Sequence, residues 1–191
     1  NYHLLEAGAL FAKDSTNVFD FPLAQVIVNI NKQHLNFLKK KTLDEIIYQK
    51  VSFLSNFTNI YIGKQKSDVL KKIKRRLQKN KSKICYSNSW KLIKKNSYYF
   101  YQDKKNKIKL NTKSIHSNGL LENVCHAIKI ALDLKINKKV IERTIPNISF
   151  EGRFQYLKKG KIKNKLHRNE QIMLDGAHAE MDAKNLANYL K

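Results

Sequence analysis

Apolar positions along this chain follow two periods, one suited to strands and one to helices. Residues 23–31 are apolar almost without interruption, which predicts a parallel strand buried on both faces. Thr42-Leu43-Asp44-Glu45 has the sequence of a capping box, with the Thr42 hydroxyl accepting from the Glu45 amide and the Glu45 side chain returning to Thr42. Behind it, Leu43, Ile46, Ile47, Phe53 and Leu54 fall broadly on one helical face. Residues 59–63 predict the next strand. Residues 67–79 predict a helix with Val69, Leu70, Ile73 and Leu77 inward and its lysines in solvent. Residues 97–102 and 108–110 predict a hairpin about Asp103-Lys104-Lys105-Asn106. Its run Tyr98-Tyr99-Phe100-Tyr101 has the residue type that stacks on bases, but a half-buried strand with aromatic cross-strand pairs is the simpler expectation. Leu120, Leu121, Val124, Ile128, Ala131 and Leu132 define an amphipathic helix, and Pro146 then breaks the pattern. A strand at 171–174 and a helix over Glu180–Leu190 close the chain. No internal repeat is evident. The expected class is α/β: a mostly parallel sheet with flanking helices over residues 1–147, then the start of a smaller α/β domain over 148–191.

Composition narrows this picture. The 191 residues, 42% of them hydrophobic, suffice to bury a core, so wholesale disorder is excluded. No apolar run approaches the roughly 18–20 residues of a membrane span, and no secretory signal opens the chain. The chain opens on Asn1, close to the first apolar segment, and reads as a piece of something longer. Cys85 and Cys125 show no CxxC or metal-ligand spacing, which fits a reducing, cytoplasmic setting.

A net charge of +23 invites a nucleic-acid partner. Yet the excess is nearly all lysine and is spread along the chain. Lysine, asparagine and isoleucine, all encoded by AT-rich codons, are abundant together, so base composition accounts for the charge without a ligand. Nonspecific binding to RNA is still expected.

Candidate chemistry begins near the amino terminus. Leu4-Leu5-Glu6-Ala7-Gly8 ends an apolar segment in a carboxylate, and Asp14-Ser15-Thr16-Asn17 follows in a polar loop. The second apolar segment runs out into Ile30-Asn31-Lys32-Gln33-His34. In parallel α/β sheets chemistry collects at the carboxyl ends of strands, where a carboxylate and an imidazole can hold a divalent metal beside a phosphate. Further on come Gln49-Lys50-Val51-Ser52, Phe150-Glu151-Gly152-Arg153-Phe154-Gln155 and Leu174-Asp175-Gly176-Ala177-His178.

These blocks, in this order, resemble the folylpolyglutamate and dihydrofolate synthases of the Mur ligase superfamily. The resemblance implies part of the Mur-ligase central, ATP-binding domain followed by the beginning of the carboxyl-terminal ligase domain. It implies ATP-dependent phosphorylation of a folate carboxylate, then attack on the acyl phosphate by the amine of L-glutamate. Magnesium and ATP are the implied cofactor and co-substrate. Glu6 and His34 correspond to magnesium ligands, Lys50 to a lysine that becomes carbamylated, Arg153 and Asp175 to ATP contacts, and His178 to the histidine that follows them. Carbamylation would require a neutral Lys50 amine, hence a depressed pKa.

The sequence also departs from the family. Gln49 stands for a glutamate, Val51-Ser52-Phe53 for Ala-Gly-Ile, Glu151 for a proline, Ala179-Glu180 for Asn-Pro, and Leu10-Phe11-Ala12 for Gly-Gly-Arg. No GxxxxGK[ST] phosphate loop is present; Gly63-Lys64-Gln65 and Gly160-Lys161-Ile162 lack its spacing and hydroxyl residue. The expectation is a truncated homologue that is inactive alone and draws its phosphate loop from an upstream chain. Its sheet would then show an unpaired edge and an uncovered apolar face. A basic RNA- or ribosome-binding protein and a remnant without function are the alternatives.

Overall fold

A computed structural model describes residues 2–112, 115 and 117–190. The chain forms two compact units, residues 1–89 and 90–191.

The first unit is built on three parallel strands in the order β1 (Ala24–Ile27), β2 (Asn59–Ile62), β3 (Lys83–Tyr86). Helix α1 (Leu43–Val51) links β1 to β2, and α2 (Ser67–Arg76) links β2 to β3. Both crossovers step across the sheet in the same direction. Their right-handed preference therefore puts both helices on one face. Ile46, Ile47 and Val51 of α1 and Val69 and Ile73 of α2 pack there on Ile27, Ile60 and Ile62. The expected faces hold for Ile46, Ile47, Val69 and Ile73, but Phe53, also expected on the α1 face, is 38% exposed and lies past the end of the helix. Helix α1 nevertheless stops at Val51, so Leu54 reaches the core from the following turn, and α2 ends at Arg76 with Leu77 as its cap.

Strand β1 is shorter than residues 23–31, and its burial alternates. Gln25 and Ile27 are buried, whereas Val26 is 43% and, just past the strand, Val28 52% exposed. The continuous apolar run describes a strand with helices on one side only. Buried Gln25 is satisfied: its Nε2 donates to the Ser55 carbonyl (3.1 Å) and Thr58 Oγ1 (2.8 Å), and its Oε1 accepts from the Ser55 amide (2.9 Å). The capping box forms by half. Thr42 Oγ1 accepts from the Glu45 amide (3.2 Å), but Glu45 Oε1 accepts from Gln49 Nε2 (2.9 Å) and the Thr42 amide turns to the Lys40 carbonyl (2.7 Å).

In the second unit an antiparallel sheet joins β4 (Trp90–Lys95), β5 (Tyr98–Asp103) and β6 (Lys107–Leu110). Asn96, at φ 52°, supplies the left-handed residue of the two-residue β4–β5 turn. Asp103 Oδ1 holds the β5–β6 turn by accepting from the amides of Lys105 (2.8 Å) and Asn106 (2.7 Å). Helix α3 (Asn118–Asp133), capped by Ser117 Oγ accepting from the Leu120 amide (3.2 Å), packs on β4 and β5. Buried Trp90, Tyr101, Ile108 and Leu110 share the inner side of this sheet with Leu121, Val124, Cys125 and Ile128 among the unit's buried residues. The aromatics of β5 pair with Lys95, Lys94, Ile93 and Leu92 rather than with one another.

A short helix α4 (Lys138–Thr144) leads into a single 3-10 turn, Ile145–Asn147, holding Pro146. The expected boundary at 145–149 thus falls inside the second unit. Beyond it, β7 (Gln155–Tyr156) pairs antiparallel with β8 (Met173–Leu174), and α5 (Glu180–Leu190) ends the described chain.

Candidate functional site

Glu6 stands exposed in an irregular segment rather than at the end of a strand, and Leu4 beside it is 95% exposed. Among the described residues this segment has no ladder partner, and an apolar dipeptide alone does not hold a strand. A different residue organises the region. Asp14 Oδ2 accepts from the Gly8 amide (2.7 Å), while Oδ1 accepts from the Thr16 amide (2.9 Å) and hydroxyl (2.5 Å). These bonds hold the Asp14 carboxyl below its ordinary pKa, with the Thr16 hydroxyl the largest cause. A Cβ on Gly8 would come to 3.0 Å from Asp14 Oδ2, so glycine is what permits the approach. Two blocks of the sequence resemblance, Glu6-Ala7-Gly8 and Asp14-Ser15-Thr16, are therefore joined through Asp14. The aspartate three residues before an asparagine in a polar loop was the available signal for this role.

His34 takes the left-handed conformation (φ 57°, ψ 27°) before the 3-10 turn Leu35–Phe37, and its ring lies 6.2 Å from that of Phe37. Among the described residues no three histidine, cysteine, aspartate or glutamate side chains are grouped as a metal cage. Glu6 and His34 could contribute only part of a coordination shell.

Lys50 lies half-buried in the last turn of α1, where a cation also suits the helix dipole. Burial depresses its pKa, the direction that exposes a neutral amine. The two cysteines offer no such chemistry. Burial, aided by Glu122, pushes the Cys125 thiol up to about 12, and Cys85 Sγ lies 3.1 Å from Ser89 Oγ.

The second unit brings Arg153, Asp175 and His178 into one neighbourhood. Two loops meet there: the Gly176 amide donates to the Gly152 carbonyl (2.7 Å), and the Phe154 amide donates to Asp175 Oδ2 (3.0 Å). The Arg153 guanidinium lies over Gly176, with Nη1 3.5 Å from where a Cβ would stand. His178 Nδ1 is 2.9 Å from the Gly176 carbonyl, which only accepts, so that nitrogen carries the proton. Asp182 Oδ2 is 3.7 Å from the same nitrogen. Gly152 at φ 66° and Phe154 at φ 50° turn the chain sharply on either side of Arg153. A guanidinium at such a turn has the paired donors that suit an oxyanion. Glu151 is exposed next to it.

No protein-family model matches the chain, and neither does any curated protein. Solved structures do. A folylpolyglutamate synthase in complex with AMPPCP and folate aligns with 97% of this chain at a TM-score of 0.77 and 17% identity. The folylpolyglutamate synthase of Thermotoga maritima aligns with 97% at 0.75 and 24% identity. The bifunctional folylpolyglutamate synthase/dihydrofolate synthase of Yersinia pestis, complexed with AMPPNP and manganese, aligns with 96% at 0.75 and 19% identity. The chain has the fold of part of a folylpolyglutamate synthase. It spans 46% of the first of these structures and 42% of the other two. At these identities the likeness establishes the mixed α/β, partial Mur-ligase-type architecture with its parallel sheet and flanking helices. Nucleotide, divalent metal and folate are ligands of those relatives.

Proposed function

We propose that this chain carries part of an ATP-dependent folate–glutamate ligase and works only when a phosphate loop is supplied by additional polypeptide. The observation that carries the reading is the meeting of Gly152-Arg153-Phe154 with Asp175-Gly176 inside a chain that follows the synthase fold over 97% of its length. In this reading Arg153 binds ATP phosphate through its two-pronged guanidinium. Asp175 contacts the nucleotide and, by holding the Phe154 amide, sets the turn that presents Arg153. His178, protonated on Nδ1, orders the end of the same loop.

Glu6 and His34 offer one carboxylate and one imidazole to a magnesium ion that comes with the nucleotide, and the ion would neutralise phosphate charge. Lys50, whose pKa burial lowers, is read as the lysine that would be carbamylated, a reading that this direction supports. The overall chemistry is transfer of a phosphoryl group from ATP to the folate carboxylate, giving ADP and an acyl phosphate. The glutamate amine then displaces inorganic phosphate, loses a proton and forms the amide. Asp14 keeps the segment bearing Glu6 folded back through Gly8.

Nucleotide binding tests the reading. The chain alone should bind AMPPCP weakly. Addition of a separately produced amino-terminal portion of a folylpolyglutamate synthase, carrying its phosphate loop, should strengthen binding at least tenfold, and Arg153→Ala should remove most of the gain. No gain with that portion, or a gain indifferent to Arg153, sinks the reading.

A further inference from the structure

The outer side of the antiparallel sheet carries aromatic and lysine side chains together. Alternation along β5 sends Tyr101 into the core and leaves Tyr98 and Phe100 on the opposite side, Tyr98 at 53% exposure. Register then fixes their neighbours. Lys95 stands beside Tyr98 and Ile93 beside Phe100 on β4, and Lys109 stands beside Phe100 on β6. Lys91 and Lys107 flank Gln102, one from each outer strand. Two aromatic rings, Tyr98 exposed and Phe100 half-buried, thus occupy the middle strand of this face, with exposed lysines along both flanks and no carboxylate among its strand residues. The nearby Asp103 belongs to the other side and is engaged there, accepting from the Tyr101 hydroxyl at 2.6 Å. Lysine ammonium groups already cover the rings: Lys109 Nζ is 3.4 Å from the Tyr98 centroid and Lys107 Nζ 5.1 Å from that of Phe100.

We propose that this face, centred on Tyr98 and Phe100 and flanked by Lys91, Lys95, Lys107 and Lys109, binds single-stranded RNA. The rings are about 6.8 Å apart along β5 at the strand rise, so each can take a separate base. A base that stacks on a ring displaces the ammonium above it, and that ammonium gains a phosphate in exchange. An exposed cation–π contact is the weaker of the two interactions, so the exchange is favourable. A duplex buries its base faces and has nothing to offer the rings. A lipid surface takes apolar groups that project beyond the charges, whereas here the cations form the outermost layer. The chain-wide lysine excess would give binding that ignores where the charge sits; the proposal differs by requiring the aromatic pair.

The test uses the full chain and a fluorescein-labelled twelve-nucleotide oligouridylate, read by anisotropy over a salt series. Tyr98→Leu with Phe100→Leu keeps charge and apolar bulk, and should weaken binding about tenfold. Lys107→Gln with Lys109→Gln should weaken it at least threefold more than Lys71→Gln with Lys79→Gln, which removes equal charge from an exposed part of the first unit. Ultraviolet crosslinking of the unmutated chain, which needs no variant to fold, should place the adduct on the peptide containing Tyr98 and Phe100. Affinity unchanged by the aromatic pair, equal loss from both lysine pairs, or adducts scattered over the lysine-rich remainder would overturn the proposal. So would tighter binding of the same sequence as a duplex, or binding of phosphatidylserine vesicles with the same dependence on Tyr98 and Phe100.

Discussion

The amide of Phe154 donates to Asp175 Oδ2 at 3.0 Å, across 21 residues of chain. This bond fixes the turn that follows Arg153, and it joins the two loops at the second of their contact points. Removing the acceptor should loosen the turn without unfolding the second unit. Asp175→Ala is expected to cost about 1–2 kcal/mol and to speed hydrogen exchange at the Phe154 amide; Asp175→Asn, which keeps an acceptor oxygen, should cost less than half of that. Urea melts with amide exchange measure both. Equal costs for the two variants would show that the bond is not what holds the turn.

Buried His126 stacks on Trp90, with ring centroids 5.0 Å apart and planes 16° from parallel, and its Nε2 has no hydrogen-bond partner among the described residues. Burial lowers its pKa to about 4 from the 6.5 of the free side chain. The unfolded chain therefore binds the proton first. This contribution to stability is complete above pH 6.5 and is lost as pH falls toward 4, by about 3 kcal/mol in all. His126→Phe should flatten the profile between pH 6.5 and 4 while keeping the stack. Trp90, the single tryptophan, reports the transition by fluorescence. A profile of unchanged slope in the variant would assign the acid sensitivity to other groups.

Lys50 should be the lysine most reactive toward cyanate at mildly alkaline pH, because burial depresses its pKa and so raises its share of neutral amine. Peptide mass spectrometry after brief exposure should find Lys50 carbamylated ahead of Lys39, Lys40 and Lys41. The reverse order would mean that burial blocks the reagent and that the amine has no special reactivity.

Val26 of β1 and Val28 just after it are 43% and 52% exposed, although Tyr61, the register partner of Val26, is buried. Val26→Lys and Val28→Lys are expected to change stability by less than about 1 kcal/mol, since neither side chain is buried, and to reduce self-association seen by light scattering. Loss of folding instead would mean that these side chains are packed.

The parallel unit was legible in the sequence because its apolar residues follow the period of their elements. Ile46, Ile47, Val69 and Ile73 each reach the core that their spacing implies. Strand β4 was not, because Lys91, Lys94 and Lys95 hide the alternation carried by Trp90 and Leu92, and only its pairing with β5 makes that alternation count. Strand β3 and helix α4 were too short to show a period. The one-sided burial of β1 depends on where two helices land, which local sequence does not encode. In the second unit, the loops of Arg153 and Asp175, which meet in the structure, were readable as separate sequence blocks. The tie between Gly8 and Asp14 left only the polar Asp14–Asn17 loop as a signal, because a hydrogen bond across a loop leaves no periodic trace.

The central claim is that this chain contributes to a folate–glutamate ligase and lacks the phosphate loop. The most direct measurement is mass-spectrometric detection of glutamate-extended folate in reactions with ATP, magnesium, folate and L-glutamate. The account predicts no product from the chain alone. It predicts product when the amino-terminal portion of a folylpolyglutamate synthase is added, with loss of product for Glu6→Ala or Arg153→Ala in this chain. Product from the chain alone, or none from the mixture under conditions where the complete synthase is active, would contradict it.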